Sequence, residues 1–281
     1  MNKVKTTLFA IVPTIVCIAL QFFAVYYLLL IAAIFLFAVG PNMTGKFYDF
    51  SDLIELTQNI DFNAVAMIIF SFCSMLVFGI WYVKRCNGSF RMNIKKEFHP
   101  LEITGLIFLV PGIQYLSAMI AGIVSMIFPS WLETYEEMLE SAGLGEEITL
   151  LMFIYSVLMA PISEELIFRG VTLRIAQRAL PFGLANVLQA ALFGLFHMNP
   201  LQGCYTFIIG LILGYIVHKG GTIYHVIFFH LLFNFWGTTV SQWILNLNLH
   251  LQSAIVIASL VFGLGLGFYC FHLGNNKKTL Q

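Results

Sequence analysis

A bundle of about eight transmembrane helices is the fold class this sequence predicts, and three observations predict it. Hydrophobic residues fill 59% of the 281 positions and charged residues only 10%, whereas an ordinary soluble domain carries about 25% charged residues. The apolar residues recur in segments of about 17 to 30, each long enough to cross ~30 Å of hydrocarbon at ~1.5 Å per residue. Basic and acidic residues separate into alternate connecting segments, the pattern expected when Lys and Arg are kept on the cytoplasmic side.

The apolar segments follow one another as Leu8 to Val39, Ala64 to Val83, Ile103 to Phe128, Glu147 to Gly170, Leu184 to His197, Leu201 to Val217, Thr222 to Leu245 and Leu251 to Leu273. The first is long and has no small-residue cleavage site, so it reads as a retained span rather than a removed signal peptide. The fifth is short. No repeat or low-complexity tract breaks the chain, which reads as one membrane domain.

With the N-terminus inside, the inner segments hold Lys3, Lys5, Lys84, Arg85, Arg91, Lys95, Lys96, Arg174, Arg178, Lys219, Lys277 and Lys278, and Lys46 alone falls outside. The outer loops are acidic: Asp49, Asp52, Glu55 and Asp61 in the first, Glu133, Glu136, Glu137, Glu140, Glu146 and Glu147 in the second. An even number of spans then puts both termini in the cytoplasm. The formal net charge of zero conceals this asymmetry and argues against nucleic acid as a partner. Cys17, Cys73, Cys86, Cys204 and Cys270 are scattered singly without metal-ligand spacing and read as small packed residues.

The fourth span contains "SEELIFRG", with Glu164, Glu165 and Arg169 amid apolar residues. An ionisable group at mid-bilayer costs ~2.5–3.5 kcal/mol on insertion scales, so such groups face the protein interior, find partners and mark a site. Glu165 and Arg169 are four apart, share a helix face and stand in the favourable order, acid first. Glu164 is rotated by about 100° and is left to present its carboxylate to a cavity. Two further spans carry polar groups. "ALFGLFHMNP" puts His197 on the face of Phe193, and "HVIFFHLLFNFWG" puts His230 and Asn234 on one face. Counted from the basic side, Glu164 lies ~15–20 Å deep, His197 ~20 Å and His230 ~16 Å, so the three spans can meet at one level.

These residues also carry a resemblance. Glu164, Glu165 and Arg169 match EExxxR, Phe193 and His197 match FxxxH, and His230 and Asn234 match HxxxN. In this order, in separate spans, the set resembles the CPBP family of intramembrane proteases, which comprises CAAX prenyl endopeptidases and bacteriocin-processing enzymes. The resemblance covers residues 147–245, a catalytic core between N-terminal spans and loops (1–146) and a last span with its tail (246–281). It implies that Glu164 and His197 activate a water for attack on a peptide carbonyl and that His230 and Asn234 stabilise the oxyanion. Glu165, Arg169 and Phe193 take supporting places.

One carboxylate and two histidines, Glu164, His197 and His230, could instead form a zinc site. The absence of HExxH and the ease of explaining Asn234 as a donor favour a reaction without metal or other cofactor. His99, His218, His225, His250 and His272 fall in loops or near span ends, where interfacial roles suffice. Gly263, Gly265 and Gly267 read as a small-residue stripe for helix packing. The expected function is therefore an intramembrane endopeptidase acting on membrane-associated peptides or proteins from the cytoplasmic side. A non-proteolytic scaffold or immunity protein of the same fold is the alternative, and a proton-coupled transporter a third. The loops suggest a bacterial plasma membrane.

Overall fold

The structure, a computed structural model, describes residues 2–91, 97–142, 144, 148–220 and 222–279. Among the sequence-derived assignments, Lys95, Lys96, Glu146 and Glu147 lie outside the described residues. The described chain is helical and contains no strand. Among the described residues, seven helices are long and apolar enough to cross a membrane: α1 (Lys3–Thr44), α3 (Ile60–Arg85), α4 (Pro100–Ile127), α6 (Leu150–Ala176), α8 (Pro200–Gly220), α9 (Ile223–Leu245) and α10 (Leu249–Lys278). The remaining predicted span is α7 (Phe182–Phe196), a 15-residue helix only about 22 Å long. Two short helices, α2 (Phe50–Thr57) and α5 (Pro129–Ser141), occupy the connections. The protein is a multi-pass membrane protein, and α6 is the most enclosed of its long helices.

Local chemistry explains the helix starts. Asn59, Thr149 and Asn248 accept hydrogen bonds from the backbone of Phe62, Met152 and Leu251, satisfying N–H groups that a helix cannot pair internally. At α4, His99 Nδ1 accepts from Leu101 N while Glu102 accepts from His99 N, a capping box with Pro100 in the first turn. Wider π-helical turns interrupt α1 at Phe35–Val39 and α6 at Ile154–Met159, just before Pro41 and Pro161. A proline ring collides with the preceding turn and donates no hydrogen bond, and an opened turn accommodates both deficits.

Close backbone approach sets the packing of two helix pairs. A Cβ on Gly263 would lie 2.9 Å from the Phe108 carbonyl oxygen, and one on Gly267 would lie 2.6 Å from the Leu109 side chain, so α10 presses directly on α4. Gly265, expected in the same stripe, has nothing within 4 Å and faces away. In the α7–α8 pair a Cβ on Gly194 would meet the Gly203 carbonyl at 2.8 Å.

The helix order gives the bundle two chemically distinct ends. One carries the α2 and α5 connections, where Glu133, Glu136, Glu137 and Glu140 are exposed. The other collects the basic residues that begin α1 and end α3, α6, α8 and α10. At this basic end lies a buried cluster that the sequence reading passed over. Glu102 has no exposed surface. It pairs with Lys278 Nζ at 2.9 Å and His225 Nε2 at 3.4 Å, and His225 Nδ1 lies 2.8 Å from the Thr222 hydroxyl. His225 is thus a fully buried partner rather than an interfacial residue, and Lys278 is an anchor rather than a free tail. Replacing Lys278 by Ala strips a buried carboxylate of its cation and should cost about 3 kcal/mol. Replacing its exposed neighbour Lys277 should change stability by less than about 0.5 kcal/mol. Unfolding of the two variants in detergent measures the difference.

Candidate active site

The two adjacent carboxylates of α6 part company as their helical positions require. Glu165 points into the bundle, has no exposed surface, and accepts from Arg169 Nη1 at 2.9 Å across one helical turn. His230 Nδ1 of α9 approaches the same Glu165 oxygen at 2.7 Å. A second π-helical stretch, Leu166–Thr172, lies between Glu165 and the last turns of α6. Glu164 keeps 12% of its side chain exposed and faces a cavity.

Aromatic packing completes the support of Arg169. Its guanidinium carbon lies 4.3 Å from the centre of the Phe193 ring, a cation–π arrangement. The same ring meets His197 edge-on at 4.8 Å and His230 at 6.2 Å between centroids. Phe193 is fully buried, so one side chain of α7 touches the cation and both imidazoles.

The hydrogen bonds define what each imidazole can do. His197 Nδ1 lies 2.8 Å from the Phe193 carbonyl oxygen. A carbonyl only accepts, so Nδ1 carries the proton and Nε2 holds a free lone pair. His230 Nδ1 is committed to Glu165, which leaves its Nε2 3.8 Å from Glu164 Oε2. Asn234 Nδ2 donates to the Ser156 carbonyl at 2.8 Å, which anchors the amide across α6 and leaves one N–H and the Oδ1.

One cavity of about 470 Å³ gathers these groups, with Glu164, His197, His230 and Asn234 all on its wall. Glu165 and Arg169 lie behind that wall. No hydrogen bond joins Glu164 to His197 among the described residues. Because α7 is short, its end at His197 and the turn that follows lie at the depth of Glu164 instead of at the far surface. Met198 in this turn has φ of 51°, a left-handed conformation that costs a non-glycine residue about 1–3 kcal/mol and clusters at functional sites. Asn199 Oδ1 then accepts from Gln202 N and starts α8.

The cavity extends toward the acidic end. It passes Tyr155, Gln202 and Tyr205 and reaches Met138 and Ser141 of α5. A contact of 3.0 Å between the Tyr135 and Tyr205 hydroxyls ties α5 down beside it. The sequence reading had access from the basic side, but this chamber lies in the opposite half of the bundle. Tyr155, Tyr205 and the Ser156 carbonyl were missed, since none belongs to a spaced motif and only the fold brings them to the chamber.

Among the described residues no three His, Cys, Asp or Glu side chains are arranged to hold a metal ion.

Fold and cavity together define an integral-membrane protein with a carboxylate, two imidazoles and a carboxamide around one chamber within the helix bundle. Residues 146–236, about a third of the chain, match the family model described as "Rce1-like: Type II CAAX prenyl endopeptidase Rce1-like". That match makes this segment similar to the CAAX prenyl endopeptidase family and supports a protease of that kind. No curated protein and no solved structure matches the chain.

The two carboxylates should respond differently to the same substitution. Glu165→Gln leaves Arg169 buried without its counter-ion and should destabilise the protein by about 3–5 kcal/mol. Glu164→Gln conserves volume at a partly exposed wall position and should leave the unfolding midpoint in detergent nearly unchanged. Equal destabilisation by both changes would contradict the separation of their environments.

Proposed function

We propose that this protein is an intramembrane endopeptidase that hydrolyses peptide bonds of membrane-associated proteins or peptides with a water held between Glu164 and His197. The observation that carries the reading is the convergence of Glu164, His197, His230 and Asn234, from three separate helices, on one cavity. Glu164 and the free Nε2 of His197 are the groups able to take a proton from water as its oxygen bonds to the scissile carbonyl carbon. A positioned base of this kind contributes typically 10²–10⁴-fold. The carbonyl oxygen becomes an oxyanion, facing the remaining N–H of Asn234 and Nε2 of His230. When the tetrahedral intermediate collapses, the C–N bond breaks and the amine leaves with the proton that the base had taken.

His230 can donate to the oxyanion when Nε2 carries a proton. In that form it sits between Glu164 and Glu165, and with Arg169 the four groups sum to zero charge. A buried cluster that is neutral overall needs no counter-ion from solvent. No metal enters this scheme. Purified enzyme stripped by a strong chelator should keep cleaving, whereas activity lost to chelation and restored by zinc alone would overturn it. Asn234→Ala should lower turnover by roughly 10²–10³ with little change in substrate binding.

Membrane orientation follows from the basic end. Retention of Lys and Arg in the cytoplasm puts both termini there and turns the chamber, with its acidic α5 cover, toward the outer face of a bacterial plasma membrane. Substrates would then be cut from the outer side. A cysteine placed at Glu137 should react with an impermeant maleimide in intact cells, and one at Lys277 only after lysis. The reverse pattern would invert the assignment.

A further inference from the structure

A second cavity, of about 860 Å³, lies at the basic end, away from the catalytic chamber, where α1, α3 and the end of α6 meet. Its mouth is formed by Lys84, Arg85 and Arg178, all exposed. Among the described residues none of the three forms an ion pair, and no carboxylate lines the cavity. Arg178 donates to the Arg85 backbone carbonyl, which holds its guanidinium beside the other two cations. Like charges gathered this closely repel one another, and an anion placed between them would relieve that repulsion.

The wall beneath the cations is apolar. Val77, Ile80, Trp81 and Lys84 recur at intervals of three and four on α3 and therefore share a face. Val77 lies about 10 Å below Lys84 along the helix. Phe9 of α1 completes the groove, its ring 5.9 Å from that of Trp81. Val77, Ile80 and Phe9 remain substantially exposed. A cationic mouth at the interface above an apolar trough in the hydrocarbon is complementary to an anionic amphiphile.

We propose that this cavity is a binding site for an anionic phospholipid. The headgroup phosphate is held by Lys84, Arg85 and Arg178, and one acyl chain lies along Val77, Ile80, Trp81 and Phe9. Ile175 lies in the last turn of α6 and Arg178 two residues past its end, so the lipid bridges α1 and α3 to the helix that carries Glu164 and Glu165. Inorganic phosphate shares the headgroup chemistry but leaves the trough unfilled, and the trough decides for the lipid.

Native mass spectrometry of the detergent-purified full chain tests this, with phosphatidylglycerol, phosphatidylcholine and inorganic phosphate titrated separately. A one-to-one phosphatidylglycerol adduct should persist at concentrations where phosphatidylcholine and phosphate give none. Lys84→Gln should weaken it roughly fivefold, and the Lys84→Gln, Arg178→Gln double variant roughly 25-fold. Arg91→Gln, at an exposed position that does not line the cavity, should have no effect. The unfolding midpoint in lipid-free detergent reports that the variants are folded, and Lys84→Gln decides alone if the double variant is not. Equal uptake of both lipids, an unchanged preference in the variants, or displacement of the lipid by phosphate would each overturn the proposal.

Discussion

A carboxylate with no exposed surface inside a membrane bundle must be matched by donors, and Glu165 takes two of them on one oxygen. Arg169 reaches it from the next turn of α6 and His230 from α9. Arg169 in turn needs the Phe193 ring of α7 over its guanidinium. Three helices are therefore locked by one buried charge pair. The lock also fixes the His230 ring, so the nitrogen not used in the lock is the one directed at Glu164. The orientation of the chamber wall depends on groups that do not line the chamber.

The parts of this arrangement set by spacing were legible in the sequence. Glu165 and Arg169 stand four positions apart, and helical geometry then leaves Glu164 on another face, as the 2.9 Å ion pair and the cavity position show. The same holds for His230 and Asn234, which share a wall. The helix count was also readable, because hydropathy reports on length. At α7 length and hydropathy diverge: the helix is apolar but too short to span, and only packing against α8 reveals what its shortness does.

What was not legible depends on contacts remote in sequence. Glu102, His225 and Lys278 are far apart along the chain, and each by itself looks like a charge or imidazole at a membrane surface. Their burial follows from α10 pressing its glycines against α4, which carries Lys278 to the start of that helix. The side on which the chamber lies was also hidden. Depth counted from one surface places Glu164, His197 and His230 at a common level but does not say which half of the bundle is hollow. The answer comes from Met138 and Ser141 of α5, which no motif connects to the site.

The short α7 acts as a ruler. It begins at the basic surface and ends after 15 residues at the imidazole of His197, so its length alone sets how deep that side chain stands. One added helical turn would carry His197 about 5 Å away from the plane of Glu164, and one deleted turn would withdraw it as far. For the proposed reaction, the bond that meets both groups would then be set by its distance from the membrane surface, a metric form of selectivity written in the length of one helix.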